Sequence, residues 1–227
     1  MVKELLIPRK YEHKIRLGKK QDGGYVVSKN HLSKNLISVG CENQTSFESD
    51  YLNLVPDSKI HIFDDVVSSP DLANKDERVS FTKKFVSTFS DLNIDKPCTV
   101  QMDIEGAEVR LFGESDLSGI EMIEQLIIEF HFHKRMWPLF PQNGPDEKIE
   151  KALQVLNEHF TLIHIHVNNC GLTDGWPMYK DLYDPIELTY IKKDDSLPIE
   201  TEKFPIEGLD FPNRPGAFDP VIDWWIK

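Results

Sequence analysis

The chain of 227 residues is poor in the features that mark the specialised protein classes. Its three cysteines, Cys41, Cys98 and Cys170, are odd in number and far apart. Neither a disulfide framework nor a CxxC zinc site is indicated, and a reducing, cytoplasmic setting is expected. No apolar run approaches the ~18 residues that a membrane span needs. Pro8 interrupts the N-terminus before a signal-peptide stretch can form. Positive charge is short: 26 Lys and Arg face 38 Asp and Glu, for a net charge of −12. Nucleic acids and anionic membranes reward a basic face, so neither is expected as a partner. There is no internal repeat. Aromatics, by contrast, are plentiful, with 13 Phe, 6 Tyr and 4 Trp, too many for a disordered chain. The length suits one domain over 1–227, with about 1–33 and a Pro-rich tail of about 198–227 as additions to its core.

What is present is an alternation of short apolar runs with helical patterns. Seven runs read as strands, near 36–39, 60–63, 79–81, 99–102, 125–130, 161–165 and 186–191. Ile149, Ala152, Leu153, Leu156 and Phe160 form one apolar stripe after Pro145, a residue suited to a helix start. Further helices are expected after Ser46 and from Ala107 to about Phe112. Such alternation predicts an α/β fold, a mostly parallel sheet with helices on both faces. From about Thr161 a strand is followed by a loop and another strand, which allows one antiparallel edge strand. Ligands of such a sheet bind at the carboxyl ends of its strands.

Chemistry-bearing residues fall at those ends. Gly40-Cys41-Glu42 follows the first strand, but the full G-x-G-x-x-G is lacking, so a dinucleotide reading is poorly supported. Asp64 ends the second strand, where an acid can take two ribose hydroxyls. Asp103 ends the fourth, and Glu105 shares its face if that strand continues. Paired carboxylates there suit a metal, a substrate hydroxyl or the end of a cofactor; Glu108 reads as a helix-start charge. Five of the eight histidines lie between His131 and His166. Glu129, His131 and His133 alternate with Phe130 and Phe132, and His164, His166 and Asn168 with Ile165 and Val167. Period two puts each polar set on one strand face, which reads either as a site or as a sheet face meeting water. Asp22-Gly23-Gly24-Tyr25 carries a hairpin signal.

In order along the chain, "RLGKKQDGGYVV", "ISVGCENQTSFESD", "IHIFDD", "VQMDIEGAEVRLF", "QLIIEFHF", "HIHVNN", "PIELTYI" and "LDFPNRP" resemble the FkbM-type S-adenosylmethionine-dependent methyltransferases. The resemblance spans about Arg16 to Pro215. It implies a Rossmann-like class I methyltransferase fold with a seven-stranded sheet, and methyl transfer to a hydroxyl of a sugar or glycan. By resemblance Gly40 and Glu42 lie under the cofactor, Asp64 meets its ribose, and Asp103 sits by its methionyl ammonium or the reacting centre. Asp22, Gly23 and Tyr25 match a segment associated with cofactor or acceptor binding. Many relatives carry a second Gly where this chain has Glu42.

Methyl transfer to an alcohol needs positioning and a destination for the proton. Imidazole is the natural base, with His131 preferred and His166 the runner-up. Alternatively magnesium or manganese polarises the hydroxyl, held by Asp103, Glu129 and His131. Glu105, His133, Asn168 and Asn169 are the candidate acceptor-binding residues, the amides suiting a neutral polyhydroxylated carbohydrate. Two rival readings are a metal-dependent hydrolase or cupin-like enzyme built on the two His-x-His pairs, and a non-catalytic glycan binder. The hydrolase reading requires an all-β frame.

Overall fold

The computed structural model describes residues 2–114, 116–132, 145–173 and 182–226. The hairpin signal forms β1 (Lys14–Gly18) and β2 (Gly24–Ser28), paired antiparallel. All seven apolar runs become strands of one sheet: β3 (Asn35–Val39), β4 (Lys59–Asp64), β5 (Val79–Lys83), β6 (Cys98–Met102), β7 (Ile123–Phe130), β8 (Phe160–Val167) and β9 (Ile186–Lys192). Their spatial order is β5-β4-β3-β6-β7-β9-β8. The first five are parallel, and β9 runs antiparallel to both of its neighbours. This is a mostly parallel, seven-stranded α/β architecture, the sheet that the resemblance implies. One detail differs from expectation: the antiparallel strand lies one place in from the edge. Residues Ile186 to Ile191 are all buried, and inserting β9 between β7 and β8 satisfies its backbone on both sides. β8 takes the edge, where the Arg9 N–H donates to the Leu162 carbonyl at 2.7 Å.

Helices cover both faces. α1 (Val2–Leu5), α3 (Glu108–Glu114) and α4 (Pro145–His159) belong to one side, α2 (Ser46–Leu54) to the other. Four residues of the expected stripe, Ile149, Ala152, Leu153 and Leu156, are buried on α4 and pack with Val100, Met102 and Leu111 on the first face, whereas the fifth, Phe160, is the first residue of β8. Phe47, Tyr51 and Leu52 of α2 pack with Leu36, Ile60 and Ile62 on the second. A four-residue helix, α5 (Cys170–Thr173), follows β8. Among the described residues no helix is long and apolar enough to cross a membrane.

The second face changes character along the sheet. Under α2 it is apolar at Leu36, Ile60 and Ile62 but also holds Ser38, which bonds Glu48 and Gln101, and Thr99, which bonds Tyr51. Across β7, β9 and β8 it carries Gln125, Glu129, Thr189, Glu187, His164 and His166, all buried. Buried polar groups require partners, and two added segments supply them. The Gln125 amide bonds both backbone groups of Ser28 in β2. The tail brings Asp210 to His164 at 2.7 Å and Asp219 to His166 at 3.2 Å. The period-two polar face therefore meets the hairpin and the tail, and not water.

Candidate active site

The loops at the carboxyl ends of β3, β4, β6 and β7 surround a cleft of about 410 Å³, within the range of small-molecule sites. Gly40 ends β3 with φ +78°, and a Cβ there would lie 1.7 Å from the Asp103 carbonyl oxygen. Only glycine lets these two loops touch. Glu42 also adopts a left-handed backbone, φ 48°, the conformation that a second glycine would favour. Its N–H donates to Asp64 Oδ2 at 2.7 Å, while Asp64 Oδ1 accepts the N–H groups of Val66 and Val67 at 2.8 and 3.0 Å. Asp64 thus binds two loops together at the expected ribose position. The exposed side chains of Asp65, Val66 and Phe85 line the same end.

The other end is built on β6 and β7. β6 stops at Met102, and Glu105 and Gly106 turn the chain at φ 56° and 101°. Asp103 and Glu105 therefore do not share a strand face; the turn, and not a continuing strand, brings both to the cleft. His131 stands just past β7, 3% exposed. Its Nδ1 is 3.3 Å from Glu108 Oε1, an oxygen that also accepts the Ile104 N–H at 2.9 Å. Its Nε2 lies 3.7 Å from both Glu129 Oε1 and Glu105 Oε2. Asn168 Nδ2 donates to Glu129 Oε1 at 2.9 Å, and Asn168 Oδ1 accepts the Cys170 N–H. Asp22 reaches in from the hairpin turn, accepting from Asn168, Asn213 and Gln44 at 3.3–3.5 Å. Asp103 Oδ1 is buried with no hydrogen-bond donor among the described residues. Ligand atoms of Asp103, Glu129 and His131 lie within 4.8 Å of one another, close enough to share a cation.

The electrostatics are one-sided. Asp22, Glu42, Glu48, Asp64, Asp65, Asp103, Glu105 and Glu129 line the cleft, and no described lining residue is Lys or Arg. Burial, reinforced by Glu108 and Glu105, pushes the Asp103 carboxyl up to about 8 against the pull of His131. Burial and the nearby Asp103 likewise raise Glu129 well above the carboxylate range. For His131, burial would lower the value, but Glu108, Glu129 and Asp103 outweigh it and hold the ring well above 6.5. The Cys41 thiol, pushed to about 12 by burial, is no nucleophile.

Asp22, Gly23, Tyr25, Gly40, Glu42, Asp64, Asp103, Glu105, Glu129, His131 and Asn168 all line the cleft. Two expected site residues do not. His166 is clamped between Glu187 Oε2 at 3.1 Å and Asp219, which raise it to about 10 against the effect of burial. Asn169 donates to the Phe218 carbonyl and accepts the Arg214 N–H, fastening the tail. Both point to partners that the tail supplies, which is why neither reaches the cleft. His133 lies outside the described residues. The hydrolase or cupin reading fails on its frame, which is a mostly parallel sheet with helices on both faces. Glu108 has a role that the helix-start reading missed, since it grips His131 as well as the turn. Glu48, Gln44, Gln101 and Phe85 were not expected in the lining, and no local pattern marks them.

No protein-family model matches the chain, and no curated protein matches it. Solved structures similar to it include a fibrillarin/Nop5p complex (11% identity, 71% of this chain and 75% of that one, TM-score 0.47). Others are an O-methyltransferase described as putative, from Klebsiella pneumoniae (16%, 70% and 74%, TM-score 0.43), and the antibiotic-resistance methyltransferase Kmr (13%, 79% and 100%, TM-score 0.41). At TM-scores below 0.5 these likenesses assign the chain no chemistry, which rests on the cleft's own residues.

Proposed function

We propose that the chain is an S-adenosylmethionine-dependent O-methyltransferase acting on a hydroxyl of a neutral sugar or glycan. The observation that carries this reading is the pairing, in one cleft, of the Gly40–Asp103 contact with His131 set among carboxylates. The residues fit such a cofactor. Gly40 leaves the floor clear of a side chain, and Asp103 offers an unsatisfied buried oxygen to an ammonium group. Asp64, with Asp65 beside it, serves the ribose, and Val66 and Phe85 supply apolar surface for a base. A cleft of carboxylates suits a positively charged cofactor and disfavours phosphorylated or acidic acceptors.

When bound, the cofactor supplies a methyl group on a positively charged sulfur, an excellent leaving group. The chain's own task is to hold the acceptor and take its proton. Glu108 accepts from Nδ1 of His131, which turns Nε2 toward the cleft. His131 Nε2 would take the proton of the acceptor hydroxyl while the methyl passed to that oxygen, the electron pair of the broken carbon–sulfur bond staying on the sulfur. His131 must be neutral for this step, and positive charge brought into the cleft by ligands offsets the carboxylates that keep it protonated. Mass spectrometry of candidate neutral glycans after incubation with cofactor tests the reading: one added methyl on one of them is expected. Absence of methylation on any neutral glycan, with cofactor bound, removes the acceptor class.

A second reading is favoured by the proximity of Asp103, Glu129 and His131 ligand atoms, which suits magnesium or manganese. That ion would polarise the hydroxyl. Loss of activity on exhaustive chelation, restored by either ion, supports it; full activity in metal-free protein leaves His131 acting alone.

A further inference from the structure

Tyr25 opens β2 beside Gly24 and is 5% exposed, with its ring edge-on to Phe47 at 5.7 Å between centroids. It lines the cleft, yet its hydroxyl has no hydrogen-bond partner among the described residues. The ring is buried, but the oxygen is not one of the sealed, unpaired atoms of the interior: it opens to the cleft, where a ligand can reach it. Tyr51 shows the ordinary arrangement: its hydroxyl donates to the Ser33 carbonyl at 2.6 Å and also bonds Thr99 Oγ1 at 2.9 Å. The neighbouring neutral donors are already engaged, Asn168 with Glu129 and Asp22, and Gln44 with Asp22. Burial first, then Asp103, Glu129, Glu187 and Asp22, raise the phenol well above 10, so it keeps its proton and can act only as a donor or neutral acceptor.

Position decides what it serves. β2 lies over β7 and β9: Thr189 Oγ1 donates to the Val26 carbonyl and Gln125 bonds Ser28. Tyr25 therefore belongs to a strand laid over β7, which carries Glu129, and the charges that act most on its phenol are Asp103 and Glu129, not Asp64. We infer that the Tyr25 hydroxyl receives the acceptor, donating to a lone pair of the oxygen that is methylated. This rests on the methyltransferase reading above and assigns the acceptor side of the site its own donor. The oxygen then has three directed contacts: it accepts from Tyr25, donates to His131 Nε2, and keeps its remaining lone pair for the methyl carbon.

Tyr25→Phe removes one unpartnered oxygen and changes no packing, so it tests the inference without unfolding the chain. Tyr51→Phe is the control for a structural hydroxyl. The probes are S-adenosylmethionine alone, by calorimetry, and a set of neutral methyl glycosides, by methyl incorporation. For Tyr25→Phe the expected result is an unchanged or higher Tm, a cofactor Kd within twofold of wild type, and an acceptor kcat/KM lower by about tenfold or more. Tyr51→Phe is expected to lower Tm and leave kcat/KM near wild type. Cofactor binding weakened tenfold in Tyr25→Phe with unchanged acceptor KM would place the hydroxyl on the cofactor and overturn the inference. So would kinetics identical to wild type. If the wild-type chain binds no cofactor, or methylates no glycoside, the parent reading fails and Tyr25's role fails with it.

Discussion

Gly40→Ala probes the contact on which the whole cleft is built. Two costs are superposed there. A residue other than glycine at φ +78° is strained by about 1–2 kcal/mol. The new Cβ also starts 1.7 Å from the Asp103 carbonyl oxygen and must separate to the 3.4 Å of ordinary contact. Neither loop yields freely, because the Gly40 N–H is bound to the Phe63 carbonyl and the Asp103 N–H to the Val39 carbonyl, both at 2.9 Å. Forced overpacking of this kind costs a further 1–3 kcal/mol or so. Gly216 isolates the first cost: its φ is +81°, and nothing lies within 4 Å of a Cβ built on it. Thermal unfolding of the two alanine variants should therefore show Gly40→Ala melting roughly 2–12 °C below Gly216→Ala. Equal melting temperatures would refute the close approach of the two loops, and with it the argument that the floor of the cleft must be bare.

His131→Ala should lower kcat by about 10²–10⁴ and leave cofactor affinity nearly intact; a variant with wild-type kcat would remove His131 as base. His166→Ala should instead cost about 3–5 kcal/mol of stability, read by urea unfolding, because it strands Glu187 and Asp219; a fall in kcat with unchanged stability would return His166 to the chemistry. His166 is held at about 10, above its ordinary 6.5, so its contribution is complete below pH 6.5 and fades as pH rises through about 10. The stability gap between wild type and His166→Gln should accordingly narrow from pH 6 toward pH 10, and a gap constant over that range contradicts the ion-pair assignment. Asp64→Ala should weaken S-adenosylmethionine binding by about 1.5–3 kcal/mol in calorimetry and also lower Tm, since three backbone donors lose their acceptor; unchanged affinity would take Asp64 out of the ribose site.

Much of the frame is legible in the sequence because strand and helix periodicities are local. The seven strands and helices α2, α3 and α4 fall where apolar runs and stripes put them. The insertion of β9 is not legible, since it depends on which strands compete to pair across the sheet. The histidines show the same divide. Period two correctly puts His164 and His166 on one face, but their carboxylate partners lie 46 and 53 residues further on. Burial beneath the tail and exposure to water leave the same trace in the strand itself. Glu108 is half legible: its bond to the Ile104 N–H is local, while its grip on His131 spans 23 residues. The cleft end at Gly40, Asp64 and Asp103 is read more easily, because strand ends can be counted along the chain.

The clasp between hairpin and tail has a consequence for the order in which the molecule is made. Asp22 and Asn213 meet across 191 residues, and Trp224 donates to the Lys3 carbonyl across 221. A chain emerging from the ribosome can form β3 to β7 and lay down α2 early, but one wall of the cleft has no fastening yet. Asp22 lacks Asn213, and His164 and His166 lack Asp210 and Asp219, until these last residues have been synthesised. Contacts of such long range are slow to close. The cleft is thus finished late, and a nascent chain carries most of the sheet before the cleft is complete.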